Sequence, residues 1–313
     1  MSVKQNSLKA WLLAMRPKTL TAAAVPVIIA VAIAWKDVHT EAAPAENGSG
    51  IQWLPAVLCL LFAWIMQIDS NLVNDYFDFR HGNDDETRLG PKRACAEGWI
   101  TPKVMLRGIV LTTVLGCATG LPLILFGGWQ MIAVGIACVL FCFLYTTTFS
   151  YLGLGDLLVL LFFGMVPVCC TYYLVLPTGM QGVTTEVFMM SIACGLAVDT
   201  LLLVNNYRDY DNDMKAGKKT LVIHIGRKNT EILYCLLGNV AIVCSCINAF
   251  SATATFKVHL LMVVLVLNYM VMHNLTFLKM KRIGHGKELN SILGETARNI
   301  FLYGISTCLM YLI

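Results

Sequence analysis

The sequence predicts an all-α integral membrane protein with nine transmembrane helices and two aspartate-rich loops on one side. Three observations predict it. Of 313 residues, 57% are hydrophobic and 13% charged, with a mean hydropathy of +0.68, whereas a soluble domain is about 25% charged. Apolar runs long enough to cross a bilayer, about 20 residues each, recur along the whole chain. Basic residues collect in alternate connections between those runs.

The runs are 17–35, 54–75, 105–126, 130–150, 153–176, 186–206, 231–250, 256–276 and 291–313. Pro17 suits a first helical turn, where its missing N–H costs nothing. Residues 6–16 before it read as a short interfacial helix, with Trp11 at headgroup level. That stretch lacks the clean apolar core and small-residue cleavage site of a signal peptide. Lys and Arg lie in the N-terminal stretch and after the second, sixth and eighth runs, all except Lys36, Lys257 and Arg298. The positive-inside rule makes those segments cytoplasmic and the C-terminus external, which requires an odd number of spans. Asn47, Gly48 and Ser49 form a glycosylation sequon on the external side, of little weight. The twelve cysteines are scattered without a CxxC pair, so a zinc or dithiol site is not indicated. Most, such as Cys138, Cys142, Cys169, Cys170, Cys194 and Cys244, read as small buried hydrophobes, while Cys95 falls in a polar loop.

Two polar connections carry the chemistry. One reads NLVNDYFDFRHGNDDETRLGPKR from Asn71; the other reads NNYRDYDNDMKAGKKT from Asn205. Asn71, Asp75 and Asp78 are spaced i, i+4, i+7; Asn205, Asp209 and Asp213 are spaced i, i+4, i+8, with Asn206 three before Asp209. On helices each set lines one face, and Gly82 and Gly217 end those helices. Crowded carboxylates at a membrane edge repel one another unless a cation sits among them. Magnesium takes such oxygen ligands and is shared with substrate phosphates. Arg88, Lys92 and Arg93 follow the first set and Lys215, Lys218 and Lys219 the second, suiting further phosphate oxygens. The implied substrate is a diphosphate with a long apolar tail.

NDYFDFRHGND and NNYRDYDNDMKAGKKTL resemble the two aspartate-rich motifs of the UbiA-type membrane prenyltransferases. WLLAMRPKTLTAAAVPV, RLGPKRACAEGWIT, YLGLGDLLVLLFFGMVPVCCTYY and LNSILGETARNIFLY extend the likeness along nearly the whole chain. They are similar to the branch that prenylates 1,4-dihydroxy-2-naphthoate toward menaquinone. The resemblance implies nine helices around a central cavity with both motifs at its cytoplasmic mouth, in a bacterial cytoplasmic membrane. It implies magnesium as cofactor, polyprenyl diphosphate as donor and an aromatic acceptor, with no nucleic acid. Diphosphate leaves, an allylic cation is attacked by the aromatic ring, and the ring carboxylate departs as carbon dioxide.

By the same resemblance Asn74, Asp78, Asp84, Asn206, Asp209 and Asp213 are catalytic. Asp75, Asp78, Asp84, Asp209 and Asp213 are metal ligands. Asn71, Asp75 and Asn205 support substrate. Arg208 and Lys218 are the phosphate candidates, with Arg16, Lys18, Arg88 and Lys92 behind them. Asp85, Glu86 and Asp211 are left as loop charges. Relatives carry a Gly- and Pro-containing connection between the fourth and fifth helices, where this chain has the shorter YTTTFSY. Another quinone precursor, of the 4-hydroxybenzoate or homogentisate type, is therefore the alternative acceptor. Tyr145 and Asp156 are expected near the acceptor, although Asp156 also suits a helix N-cap.

Among the remaining polar residues, Asp69 and Asp199 lie inside helices, as cavity groups or helix-to-helix hydrogen bonds. Glu295 and Arg298, three apart, are expected to pair. A cation-coupled transporter is the reading from another class; its coupling sites belong near the bilayer midplane rather than at helix ends.

Overall fold

The computed structural model describes residues 3–40, 50–82, 88–149, 152–250 and 254–313. Asp84, Asp85, Glu86 and the Asn47 sequon lie outside the described residues. All regular secondary structure among the described residues is helical. The helices are α1 (Leu8–Met15), α2 (Leu20–Thr40), α3 (Trp53–His81), α4 (Pro102–Gly127), α5 (Gln130–Leu144), α6 (Gly155–Val175), α7 (Thr185–Lys215), α8 (Leu221–Ala249), α9 (Phe256–Ile283) and α10 (Leu289–Leu312). Among the described residues, 7 helical segments are long and apolar enough to cross a membrane. The segments Gln130–Leu144 and Leu289–Leu312 stand in the same bundle without meeting that measure. Large apolar side chains face outward over the whole surface, Leu125 being 85% exposed and Phe256 80%. Such a surface needs lipid around it: this is a multi-pass integral membrane protein.

Central to the bundle is α7, which packs on α8, α6, α10 and α2. Small residues permit its closest approach. A Cβ on Gly164 of α6 would lie 2.5 Å from the Ser191 carbonyl oxygen and 2.7 Å from Gly195 Cα. Between membrane helices, close packing of this kind replaces the hydrophobic drive available in water. At one end, Lys36 bonds Glu186 at 2.9 Å and the Tyr172 hydroxyl donates to Asp37 at 2.6 Å, tying α2 to α7 and α6.

Three expectations change, and one open alternative is decided. The acidic motifs are not loops: α3 and α7 run on past their apolar stretches and carry residues 71–78 and 205–213 on their last turns. Helix hydrogen bonding continues until Gly82 and Gly217 adopt φ of 73° and 72°, which only glycine takes without strain. Trp11 is turned inward onto Gly108 of α4, where the missing Cβ leaves room for its ring. Glu295 pairs with Lys279 at 2.8 Å, while Arg298 donates to Asn299 at 3.4 Å, because α9 presents a lysine closer to the carboxylate. Asp69 is a helix-to-helix group, accepting from Thr112 at 2.5 Å and Thr113 at 3.0 Å.

Candidate active site

The end of α3 carries its motif on one face. At 100° per residue Asn74, Asp78, Asn71 and Asp75 lie side by side within one arc of about 100°, and their surroundings divide them into two pairs. The first pair lines a polar cavity of about 420 Å³. The second pair does not line it. Asp75, 1% exposed, accepts backbone N–H bonds from Ala94 (2.8 Å) and Cys95 (2.9 Å). Asn71, 4% exposed, donates to the Met15 carbonyl (2.9 Å) and to Thr19 Oγ1 (3.0 Å).

These two side chains position others. By holding Ala94 and Cys95, Asp75 docks the 88–95 segment against α3. That places Arg93 with its guanidinium 2.5 Å from Asp78 Oδ2 and donating to the Asn74 carbonyl. Arg93 lines the cavity, as does Arg88, whose Nε donates to the Pro91 carbonyl at 3.1 Å. Asn71 clamps the turn between α1 and α2. There Arg16 takes a left-handed conformation (φ 50°, ψ 66°), and its carbonyl accepts from both the backbone N–H and the hydroxyl of Thr19 at 2.9 Å. Arg16 lines the cavity. Lys18 and Lys92 do not; Lys92 reaches outward to Glu97 at 2.7 Å.

Across the cavity, α7 presents Asn205, Asn206, Arg208, Asp209, Asn212 and Asp213. Arg208, 1% exposed, is committed to structure. It holds Asp209 through Nε (2.8 Å) and Nη2 (2.5 Å), Asn205 at 2.9 Å and Asn290 of α10 at 2.9 Å. Asn290 in turn donates to the Leu89 carbonyl at 2.8 Å. Gly90 makes the fit possible, since a Cβ there would sit 2.9 Å from Arg208 Nη2. At the end of α7, Gly217 reverses the chain and brings Lys218 back onto Asp213 at 3.0 Å. Lys215 completes the basic rim.

The third wall is the α5–α6 connection. It supplies Tyr145, Gly153, Gly155 and Asp156. Gly153 has φ 77° and its Cα lies against the Lys219 carbonyl, so the shortened connection is seated on the turn that ends α7. Asp156 is in the first turn of α6 but does not cap it: the N-cap position is Leu154, and both Asp156 oxygens are buried without a hydrogen-bond partner.

Beneath the polar cavity is an apolar one of about 400 Å³. The two adjoin along α3, where Ser70 lines the lower and Asn74, one turn on, lines the upper. Aromatic rings mark the boundary: Phe141 stacks on Phe162 at 4.2 Å and approaches Tyr145 at 5.4 Å. Five of the cysteines, Cys59, Cys117, Cys138, Cys142 and Cys170, line the apolar cavity.

The structure thus gathers Asn74, Asp78, Asn205, Asn206, Arg208, Asp209, Asp213, Lys218, Arg16, Arg88, Tyr145 and Asp156 around one space. It leaves Asn71, Asp75, Lys18 and Lys92 outside it. Asn212 is an addition, and Arg93, grouped in the sequence with the phosphate-binding basics, is paired with Asp78. Arg93 stands in a basic run of the sequence, but no spacing rule links it to Asp78 fifteen positions earlier. The donor set facing the cavity is carboxylate and amide oxygen opposed by guanidinium and ammonium. It suits a hard cation and an anionic phosphate together. Among the described residues no three His, Cys, Asp or Glu converge tightly enough to hold an ion unaided.

Residues 23–289 match the UbiA prenyltransferase family. A protein of Escherichia coli (strain K12) named 1,4-dihydroxy-2-naphthoate octaprenyltransferase is 34% identical over 255 residues, covering 78% of this chain and 77% of that protein. A Mycobacterium tuberculosis protein of the same name is 34% identical over 228 residues, covering 72% of each. A solved UbiA homolog from Archaeoglobus fulgidus, bound to DMAPP and Mg2+, superposes with a TM-score of 0.59 at 14% identity, covering 95% of this chain and 98% of that one. The chain is a membrane prenyltransferase and belongs to the UbiA prenyltransferase family.

Proposed function

We propose that this enzyme transfers a polyprenyl chain from polyprenyl diphosphate to 1,4-dihydroxy-2-naphthoate, releasing diphosphate and carbon dioxide and giving demethylmenaquinol. The observation that carries the reading is the adjacency of the two cavities: a charged chamber and, one turn along α3, an apolar one. A diphosphate with a long isoprenoid tail matches both halves. The names of the curated relatives favour the dihydroxynaphthoate acceptor, and the DMAPP and Mg2+ of the archaeal homolog favour the metal.

In this reading Asp78 of α3 and Asp209 and Asp213 of α7 hold magnesium, with Asn74 and Asn206 beside them. Bound there, magnesium would neutralise diphosphate charge and make it a better leaving group. Arg88, Lys215 and Lys218 take the outer phosphate oxygens. Arg93 and Arg208 keep the carboxylates aimed, each already bonded to one of them. The C–O bond breaks near the rings of Tyr145 and Phe141, whose faces stabilise an allylic cation and exclude water. Nine spans are read here, α2 to α10, with the N-terminus and both motif ends on the cytoplasmic side of a bacterial membrane.

The test is turnover of purified protein with magnesium, a polyprenyl diphosphate and 1,4-dihydroxy-2-naphthoate, followed by mass spectrometry. A prenylated, decarboxylated naphthoquinol supports the reading. Prenylation of 4-hydroxybenzoate or homogentisate instead, with none of the naphthoate, moves the enzyme to another quinone route.

A further inference from the structure

We infer that Arg16 and Asp156 form the acceptor subsite, the guanidinium taking the acceptor's carboxylate and the aspartate its phenolic hydroxyl. This rests on the prenyl-transfer reading above and assigns two residues within it.

The carboxylates at the cavity mouth already have cationic partners: Asp78 has Arg93, Asp209 has Arg208 and Asp213 has Lys218. Two other charged groups line the same cavity with buried atoms that lack any hydrogen-bond partner: Arg16 through Nη2 and Asp156 through both oxygens. A buried charged group without a partner is costly. Such groups point to a ligand that completes them.

Their backbones are rooted below the mouth, and the Arg16 guanidinium lies within electrostatic range of Asp78, Arg88 and Arg93. The Arg16 turn is docked at the level of Asn71, which bonds Met15 and Thr19 on either side of it. Asn71 is seven residues below Asp78 on α3, about 10 Å at helical rise. Gly155, next to Asp156, packs 3.3 Å (from an added Cβ) against Leu202 of α7. Leu202 is likewise seven residues below Asp209. Both backbones are therefore anchored about two turns below Asp78 and Asp209.

The backbone at Arg16 adds an independent sign. Only Asn6 and Arg16 among the described non-glycine residues have positive φ. An arginine held there stores strain that the surroundings must enforce, and such strain gathers at ligand sites. Behind Asp156 lies Asp199, 6% exposed with Oδ1 unpartnered, close enough to interact electrostatically. Asp199, Asn206 and Asp213 share one stripe of α7 at seven-residue spacing, so the acidic wall continues down from the mouth. One guanidinium and one carboxylate facing the same chamber are complementary to a hydroxyaryl carboxylate. A phenol hydrogen-bonded to Asp156 also gains ring electron density, which favours attack on the cation.

The experiment measures KM for each substrate in wild type, Arg16→Gln, Arg16→Lys and Asp156→Asn, after confirming monodisperse protein with an unchanged unfolding temperature. The expected result for Arg16→Gln is a rise in acceptor KM of roughly tenfold or more, the effect of losing a hydrogen bond to a charged group, with the prenyl diphosphate KM within about twofold. Arg16→Gln should also lose the preference for 1,4-dihydroxy-2-naphthoate over 1,4-dihydroxynaphthalene, which lacks the carboxylate. Arg16→Lys should recover part of it. Asp156→Asn should raise KM for both acceptors alike. A rise in the diphosphate KM with the acceptor KM unchanged would overturn the assignment and place Arg16 on the diphosphate. If wild type prenylates only another phenolic acid, the naphthoate reading fails, and the same comparison is made with that acid and its decarboxylated analogue. If no acceptor is turned over, fluorescence titration with the hydroxynaphthoate decides: weaker binding to Arg16→Gln supports the subsite and equal binding overturns it.

Discussion

Asn71→Ala tests whether the first motif acts by touching substrate or by holding the fold. In the structure Asn71 is a clamp: its amide donates to the Met15 carbonyl at 2.9 Å and Thr19 Oγ1 at 3.0 Å. Each bond contributes about 1 kcal/mol in a water-accessible fold, or about 0.6 kcal/mol by the membrane average. Two lost bonds therefore cost roughly 1–2 kcal/mol. If the Met15 carbonyl stays desolvated, the total rises to about 4 kcal/mol. For a chain of this length that is a fall in Tm of roughly 2–6 °C. The left-handed turn at Arg16 would relax with it, so turnover falls together with stability. The assay pairs Tm in detergent with steady-state turnover. Asn71→Asp, which keeps the acceptor oxygen but loses the donor, should behave like Asn71→Ala. Collapse of turnover at unchanged Tm would refute the clamp and return Asn71 to the substrate. No change in either would refute both.

Three further outcomes are expected. Asp209→Asn should lower kcat by about a thousandfold or more, as loss of electrostatic leaving-group assistance does, while Arg208 still binds Asn290 and Asn205 and the protein stays folded; near-normal turnover would exclude the metal role. Removing magnesium with a chelator should stop turnover, and restoring it should recover activity with a half-saturation that falls as prenyl diphosphate rises, because metal and phosphate share ligands; turnover that persists in the chelator would contradict this. Gly153→Ala should destabilise by at least about 1 kcal/mol, since φ of 77° disfavours any Cβ and the new methyl overlaps the Lys219 carbonyl; an unchanged Tm would show that the α5–α6 connection is not seated there.

The sequence by itself determined the membrane class, the positions of the apolar segments and the residue types of the site. These are local properties: a helix must match the bilayer's thickness, and acidic spacing of three and four repeats on one helical face. The resemblance carried by RPKTL, NDYFD and NNYRDYDND reached the family as well. Tertiary structure decided which segments pack against α3, and therefore that Asn74 and Asp78 face the chamber while Met15, Thr19, Ala94 and Cys95 take up Asn71 and Asp75. It decided that Arg93 meets Asp78 and that Asn290 links Arg208 to Leu89, 201 positions apart. It also left Arg16 Nη2 and both Asp156 oxygens buried without a hydrogen-bond partner. Each of these depends on which side chains arrive from distant segments, and a pattern read within one helix has no term for that. Helix formation follows from neighbours along the chain; the pairing of a buried charge follows from neighbours in space.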